Sequence, residues 1–177
     1  MPSHTDRTLW RQIVQQVTVE WDALPTGEKN WITDHALKIV TLQESLHRLF
    51  LAVDGDVICR NCAGGCCGHG KFHPTLVNLL ACLIKEKPFP LPRFDQGCPY
   101  IGAGGCLFPP GLRPYNCISF ICEKIDSQLA PDDRAEFCRL EKEIRTEYEE
   151  FSGRYVGAGM RGILVRGKLL PAYLARC

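Results

Sequence analysis

Apolar residues recur at three- and four-residue intervals along most of this chain, and the interruptions mark where elements end. Leu9, Trp10, Ile13, Val14 and Val17 share one helical face, which predicts an amphipathic helix reaching towards Trp21. Leu24-Pro25-Thr26-Gly27 breaks it. A longer stripe of Ile39, Leu42, Leu46, Leu49, Phe50 and Val53 predicts a second helix over about 33–51, capped by Thr33 or Asp34. Asp54-Gly55-Asp56 reads as a turn. Leu76, Leu79, Leu80, Leu83 and Ile84 predict a helix starting at Pro74 and running to about Lys85, with Cys82 packed as a small hydrophobe. A short helix is expected over about 117–124. The last stripe, Phe137, Leu140, Ile144, Tyr148 and Phe151, predicts a helix from Pro131 to Gly153, with Cys138 packed beside it. Asp132 and Asp133 in its first turn suit the positive end of the helix dipole. The tail, 155–177, reads as a packed segment with solvated charges and a mobile Cys177.

Residues 88–114 break the helical pattern. Seven prolines and five glycines fall there, which rules out regular helix or central strand and leaves only short strands near Tyr100-Ile101 and Cys106-Leu107-Phe108. Backbone this irregular needs an anchor other than ordinary ladders. The pattern as a whole predicts a mainly α fold: about five helices around an irregular, cysteine-rich, metal-stapled centre with little sheet. One domain is expected over 1–177, with N-terminal helices (1–54), a cysteine-cluster core (57–122) and a C-terminal helix and tail (131–177).

Composition narrows the function classes. The chain has 177 residues, a formal net charge of +1 and 45% apolar residues, an ordinary balance that gives no electrostatic reason for a nucleic-acid partner. No apolar run approaches the length of a bilayer crossing, and Met1–Arg11 lacks a secretory core, so a cytoplasmic, reduced setting is expected. There the odd count of eleven cysteines argues for metal ligation over disulfides.

Four of those cysteines lie in Cys59-Arg-Asn-Cys62-Ala-Gly-Gly-Cys66-Cys67, with spacing C-x2-C-x3-C-C, and Cys98, Cys106, Cys117 and Cys122 follow. Close thiolates on glycine-loosened backbone suit a soft metal. Covalent haem attachment would need histidine where Ala63 stands, and a radical-SAM cluster would need the opposite order of spacings. A thioredoxin-like dithiol at Cys59 and Cys62 leaves Cys66 and Cys67 unexplained. Two chemistries survive, zinc in four thiolates and an iron–sulfur cluster of the four-iron type. Structural zinc usually takes two C-x2-C pairs, and one is present. Close cysteines with a remote Cys98-Pro99 match the ferredoxin pattern better, which favours iron–sulfur. Arg113 either donates hydrogen bonds to cluster sulfurs from outside the ligand shell or braces the proline-rich loop through backbone carbonyls. His69 and His73, close after the cluster, could ligate zinc or a Rieske-type centre, but with so many thiolates at hand the favoured reading is solvent-facing or beside the centre; His35 and His47 read as exposed or core-edge histidines.

The run CRNCAGGCC followed by GCPYIGAGGCLFPPGLRPYNC resembles the YkgJ-like family of bacterial zinc- or iron-chelating cysteine-cluster proteins. Its ordered pattern falls on Cys59, Cys62, Cys66, Cys67, Cys98, Cys106 and Arg113-Pro114 leading to Cys117, with Cys122 as an eighth candidate. The resemblance covers about 57–122 and implies a metal-bound cysteine domain without a settled reaction. Three readings follow: an iron–sulfur or iron protein in redox or sensing work, a structural zinc module that docks a protein partner, and a cluster-dependent oxidoreductase. No nucleotide-phosphate loop and no nucleophile triad support the last.

Overall fold

The computed structural model describes residues 4–61, 68–103 and 105–177. Among them the fold is mainly helical: α1 (His4–Ala23), α2 (Thr26–Ala52), α3 (Gly55–Asn61), α4 (Leu76–Ile84), α5 (Tyr115–Ser119), α6 (Glu123–Asp126) and α7 (Pro131–Arg154). The described sheet is one small antiparallel hairpin, β1 (Ile101–Gly102) and β2 (Gly105–Cys106), in which Ile101 faces Cys106. No described helix is long and apolar enough to cross a membrane.

The long helix α2 is the axis. Its buried side, Ile32, Ala36, Ile39, Val40 and Leu46, lies against α7, α4 and the single turn Pro110–Leu112. On α7 the matching side is Phe137, Leu140, Ile144, Tyr148 and Phe151. Trp31 meets the Phe151 ring edge-on at 5.1 Å. Glu147, buried on α7, is bridged by His35 Nδ1 and Lys38 Nζ, each at 2.6 Å, so both of its carboxylate oxygens are paired. The stripe read from the sequence is the packed face. Cys138 is a correction: it is exposed, because one residue beyond Phe137 is a rotation of about 100° away from that stripe.

Several boundaries differ from the periodicity. The second helix starts at Thr26 rather than near Thr33, with Pro25 in extended conformation at its N-cap. Proline and Gly27 are tolerated there because first-turn N–H groups have no partner inside the helix. Asp54 is a true turn residue with φ 52, but Gly55 already opens α3, and a Cβ there would meet Phe50 ring and carbonyl atoms at 2.6 Å. Pro74 lies outside α4. Thr75 caps that helix in a reciprocal box with Asn78: Thr75 N–H donates to Asn78 Oδ1 at 2.8 Å, and Asn78 N–H donates to Thr75 Oγ1 at 3.4 Å. Residues 117–124 divide into α5 and α6 around extended Phe120.

The irregular stretch has anchors besides any metal. Trp10, Phe89, Tyr100 and Phe108 form an aromatic cluster, with Trp10–Phe89 and Phe89–Phe108 centroids both 4.9 Å apart and Tyr100–Phe108 at 5.0 Å. Asn78 Nδ2 donates to the Leu112 and Arg113 carbonyls at 3.2 and 3.1 Å, and Gln43 Nε2 donates to Arg113 O at 3.0 Å. The tail is tied down as well. Glu20 accepts from the Tyr173 and Leu174 amides, and Cys177, expected to be mobile, donates its N–H to Arg154 O at 3.0 Å.

Candidate metal centre

The hairpin brings Cys98 and Cys106 to one place. Ile101 N–H donates to Cys98 O at 3.3 Å and Leu107 N–H to Tyr100 O at 2.8 Å, closing the ladder between the two cysteines. Gly105, at φ 105, supplies the backbone that its turn requires. Burial pushes the half-buried Cys98 thiol above its ordinary range. The Tyr100 N–H opposes that shift, and the nearby Cys106 thiol adds to it. Without a metal the Cys98 sulfur therefore holds its proton, and ligation would release it.

Gly70 sits against Cys98. A Cβ on Gly70 would lie 2.4 Å from Cys98 Sγ and 3.1 Å from Cys98 Cβ. A hydrogen in place of a methyl group thus leaves the sulfur its position. Close by, Gly68 Cα lies 3.9 Å from where Gly97 would carry a Cβ. So the chain just after Cys67 runs along the strand approach of Cys98. The turn Gly70–Phe72 is held by Lys71, whose Nζ pairs with Asp6 of α1 at 3.0 Å.

On the other side of the cluster, Cys59 lies half-buried on α3. That helix packs against α6, whose N-cap residue is Cys122. The Cys122 side chain makes no capping bond. Cys117 stands on α5, its N–H donated to Pro114 O at 2.8 Å, and its Sγ lies 3.1 Å from Nδ1 of His73. Burial holds His73 below the ordinary histidine range, with the His69 charge adding to the effect. Cys62, Cys66 and Cys67 lie outside the described residues. Among those described, no three histidine, cysteine or acidic side chains form a group that could hold a metal ion. Cys98 with Cys106 and Cys117 with His73 are the neighbours shown among the described donors, and the chemistry of the set, thiols with one imidazole, suits a thiophilic metal.

Arg113 lies on the loop between the Pro110–Leu112 turn and α5. Its Nε donates to Phe108 O at 3.4 Å, while its own carbonyl receives Gln43 and Asn78. Its guanidinium also adds to the burial that lowers His47, a half-buried ring stacked on Phe50 at 5.4 Å. Gln43 and Asn78 were not singled out by the sequence reading, although each interrupts an apolar helical face, which is the signal a buried polar brace leaves. Cys82 is 3% exposed within α4 with its thiol pushed up to about 12 by burial, which makes it core.

Comparison of the chain with protein-family models, with curated proteins and with solved structures returned no match.

Proposed function

We propose that this chain is a metal-binding protein whose cysteine thiolates hold an iron–sulfur cluster or iron, in redox or sensing work. The ligands are drawn from Cys59, Cys62, Cys66, Cys67, Cys98, Cys106, Cys117 and Cys122. One observation carries the reading. Both flanks of residues 62–67 lie beside an element that carries a cysteine of the downstream set: α3, which leads into the cluster, packs on the helix whose N-cap position is Cys122, and Gly68–Gly70, which leads out, lies along Gly97–Cys98. A chain that only packed its cysteines as small hydrophobes would bury them, as it does Cys82. Instead Cys106 and Cys117 are exposed and Cys59, Cys98 and Cys122 half-buried. The order of those cysteines, which resembles the YkgJ-like pattern, supports the same assignment.

A structural zinc module is the second reading, favoured by the His73–Cys117 approach, since zinc accepts mixed nitrogen and sulfur ligands. Purification without oxygen, followed by a visible spectrum and iron, sulfide and zinc analysis, separates the two. A coloured protein with matched iron and sulfide supports the cluster. A colourless one with stoichiometric zinc that unfolds under chelation supports the zinc module. A metal-free protein that stays folded and takes up neither metal refutes both.

A further inference from the structure

We propose that His73 and Cys117 are neighbouring ligands of one metal ion, His73 through Nδ1, so that the centre includes an imidazole beside its thiolates; this rests on the metal-binding reading above. His73 belongs to no cysteine spacing, and the sequence alone ranks its ligation behind a position beside the centre. The fold gives it a sulfur partner 44 positions away, at 3.1 Å.

The approach is imposed by backbone on both sides. The His73 N–H donates to Gly70 O at 3.1 Å, and Ile163 N–H donates to Pro74 O at 2.7 Å just beyond it. Gly162 lies flush on the same stretch: a Cβ there would sit 1.7 Å from Phe72 O and 2.9 Å from His73 N. Cys117 is fixed through its N–H to Pro114 and through α5, which packs on α2 and α7.

The distance suits two ligands of one ion. With metal–nitrogen and metal–sulfur bonds of about 2.0 and 2.3 Å, tetrahedral donors stand roughly 3.5 Å apart, so 3.1 Å needs only a small rotation of either side chain. Nδ1 is a recognised ligating atom of neutral imidazole. A hydrogen bond alone would place a solvent-accessible ring and thiol together for little net gain, yet three segments, 70–74, 114–117 and 162–163, converge to hold them there. His69, four residues earlier, is exposed and serves as the internal control.

The test uses the full chain with ring-nitrogen-labelled histidine and pulsed electron paramagnetic resonance. Protein that carries iron is read as purified and reduced, and colourless protein is stripped and loaded with cobalt(II) alone. The expected result is a strongly coupled, directly bound nitrogen that is retained in His69→Ala and lost in His73→Ala. His73→Ala should also weaken cobalt(II) binding by more than the roughly ten- to hundredfold that a partner outside the ligand shell costs. Metal bound without a strongly coupled nitrogen overturns this inference and leaves the thiolate reading standing. A coupling that survives His73→Ala also overturns it. No uptake of iron or cobalt(II) removes the metal-binding reading itself. If His73→Ala does not fold, His73→Asn takes its place, with the same loss of the coupled nitrogen expected.

Discussion

Replacing Gly70 with alanine tests the role of Cys98 most sharply. The backbone at Gly70 is not in the left-handed region, so alanine brings no conformational strain. Its cost is steric, from a methyl group 2.4 Å from Cys98 Sγ and 3.1 Å from Cys98 Cβ. In metal-free protein the sulfur can swing to another rotamer. The residual crowding costs about 1 kcal/mol or less, and the smaller entropy of the unfolded alanine chain offsets ~0.4–1 kcal/mol of that. A sulfur bonded to metal cannot swing. The full overpacking penalty of ~1–3 kcal/mol then falls on the loaded state. The affinity change follows the difference between the loaded and metal-free costs, about 1–2 kcal/mol, so metal affinity should drop about 5- to 30-fold while metal-free stability stays nearly constant. The assay pairs competitive metal titration against a chelator with urea unfolding of the stripped protein. Gly68→Ala, with nothing within 4 Å of its new methyl, should leave both unchanged or stabilise slightly. Unaltered metal affinity in a folded Gly70→Ala protein would show that Cys98 is not a ligand, and the pairing of the downstream cysteines with the cluster would fail with it.

Three further outcomes are expected. Thr75→Ala removes a buried N-cap and half of its box with Asn78, and should cost ~1–2 kcal/mol in urea unfolding; no loss would mean that the Asn78 bonds to Leu112 and Arg113 hold α4 without the cap. Leu80→Ala, at a side chain with no exposure, should cost ~2–5 kcal/mol; a smaller loss would mean that the α1–α4 contact collapses into the space. The Tyr155 hydroxyl and then the Arg154 guanidinium hold the Glu28 carboxyl below its ordinary value of 4.5. Its stabilising contribution is therefore fully present above that value and lost as pH falls through the lowered one. The acid limb of a stability–pH curve should be shallower in Glu28→Gln than in wild type, and parallel limbs would refute the network.

The sequence by itself determined the helical stripes and the candidate donors. Period 3.6 is a local property, so Ile39, Leu46, Ile144 and Phe151 announce their buried faces before any partner is known, and C-x2-C-x3-C-C needs only adjacency along the chain. Helix starts were less legible. Thr75 caps α4 because its side chain exchanges bonds with Asn78, and proline at 74 marks only the approach. The exposure of Cys138 followed from the stripe, but a cysteine's apolar character pointed the other way. Tertiary structure decided which distant residues meet. Proline and glycine in 88–114 disclose where ladders are absent, yet they say nothing of Trp10 on α1 closing an aromatic cluster around that stretch, nor of Gln43 and Asn78 gripping the Arg113 carbonyl. The approaches of Gly70 to Cys98 and of His73 to Cys117 belong to the same class. Each joins segments separated by dozens of residues, and that closeness is set by how α2 gathers the other elements around it, which no local periodicity encodes.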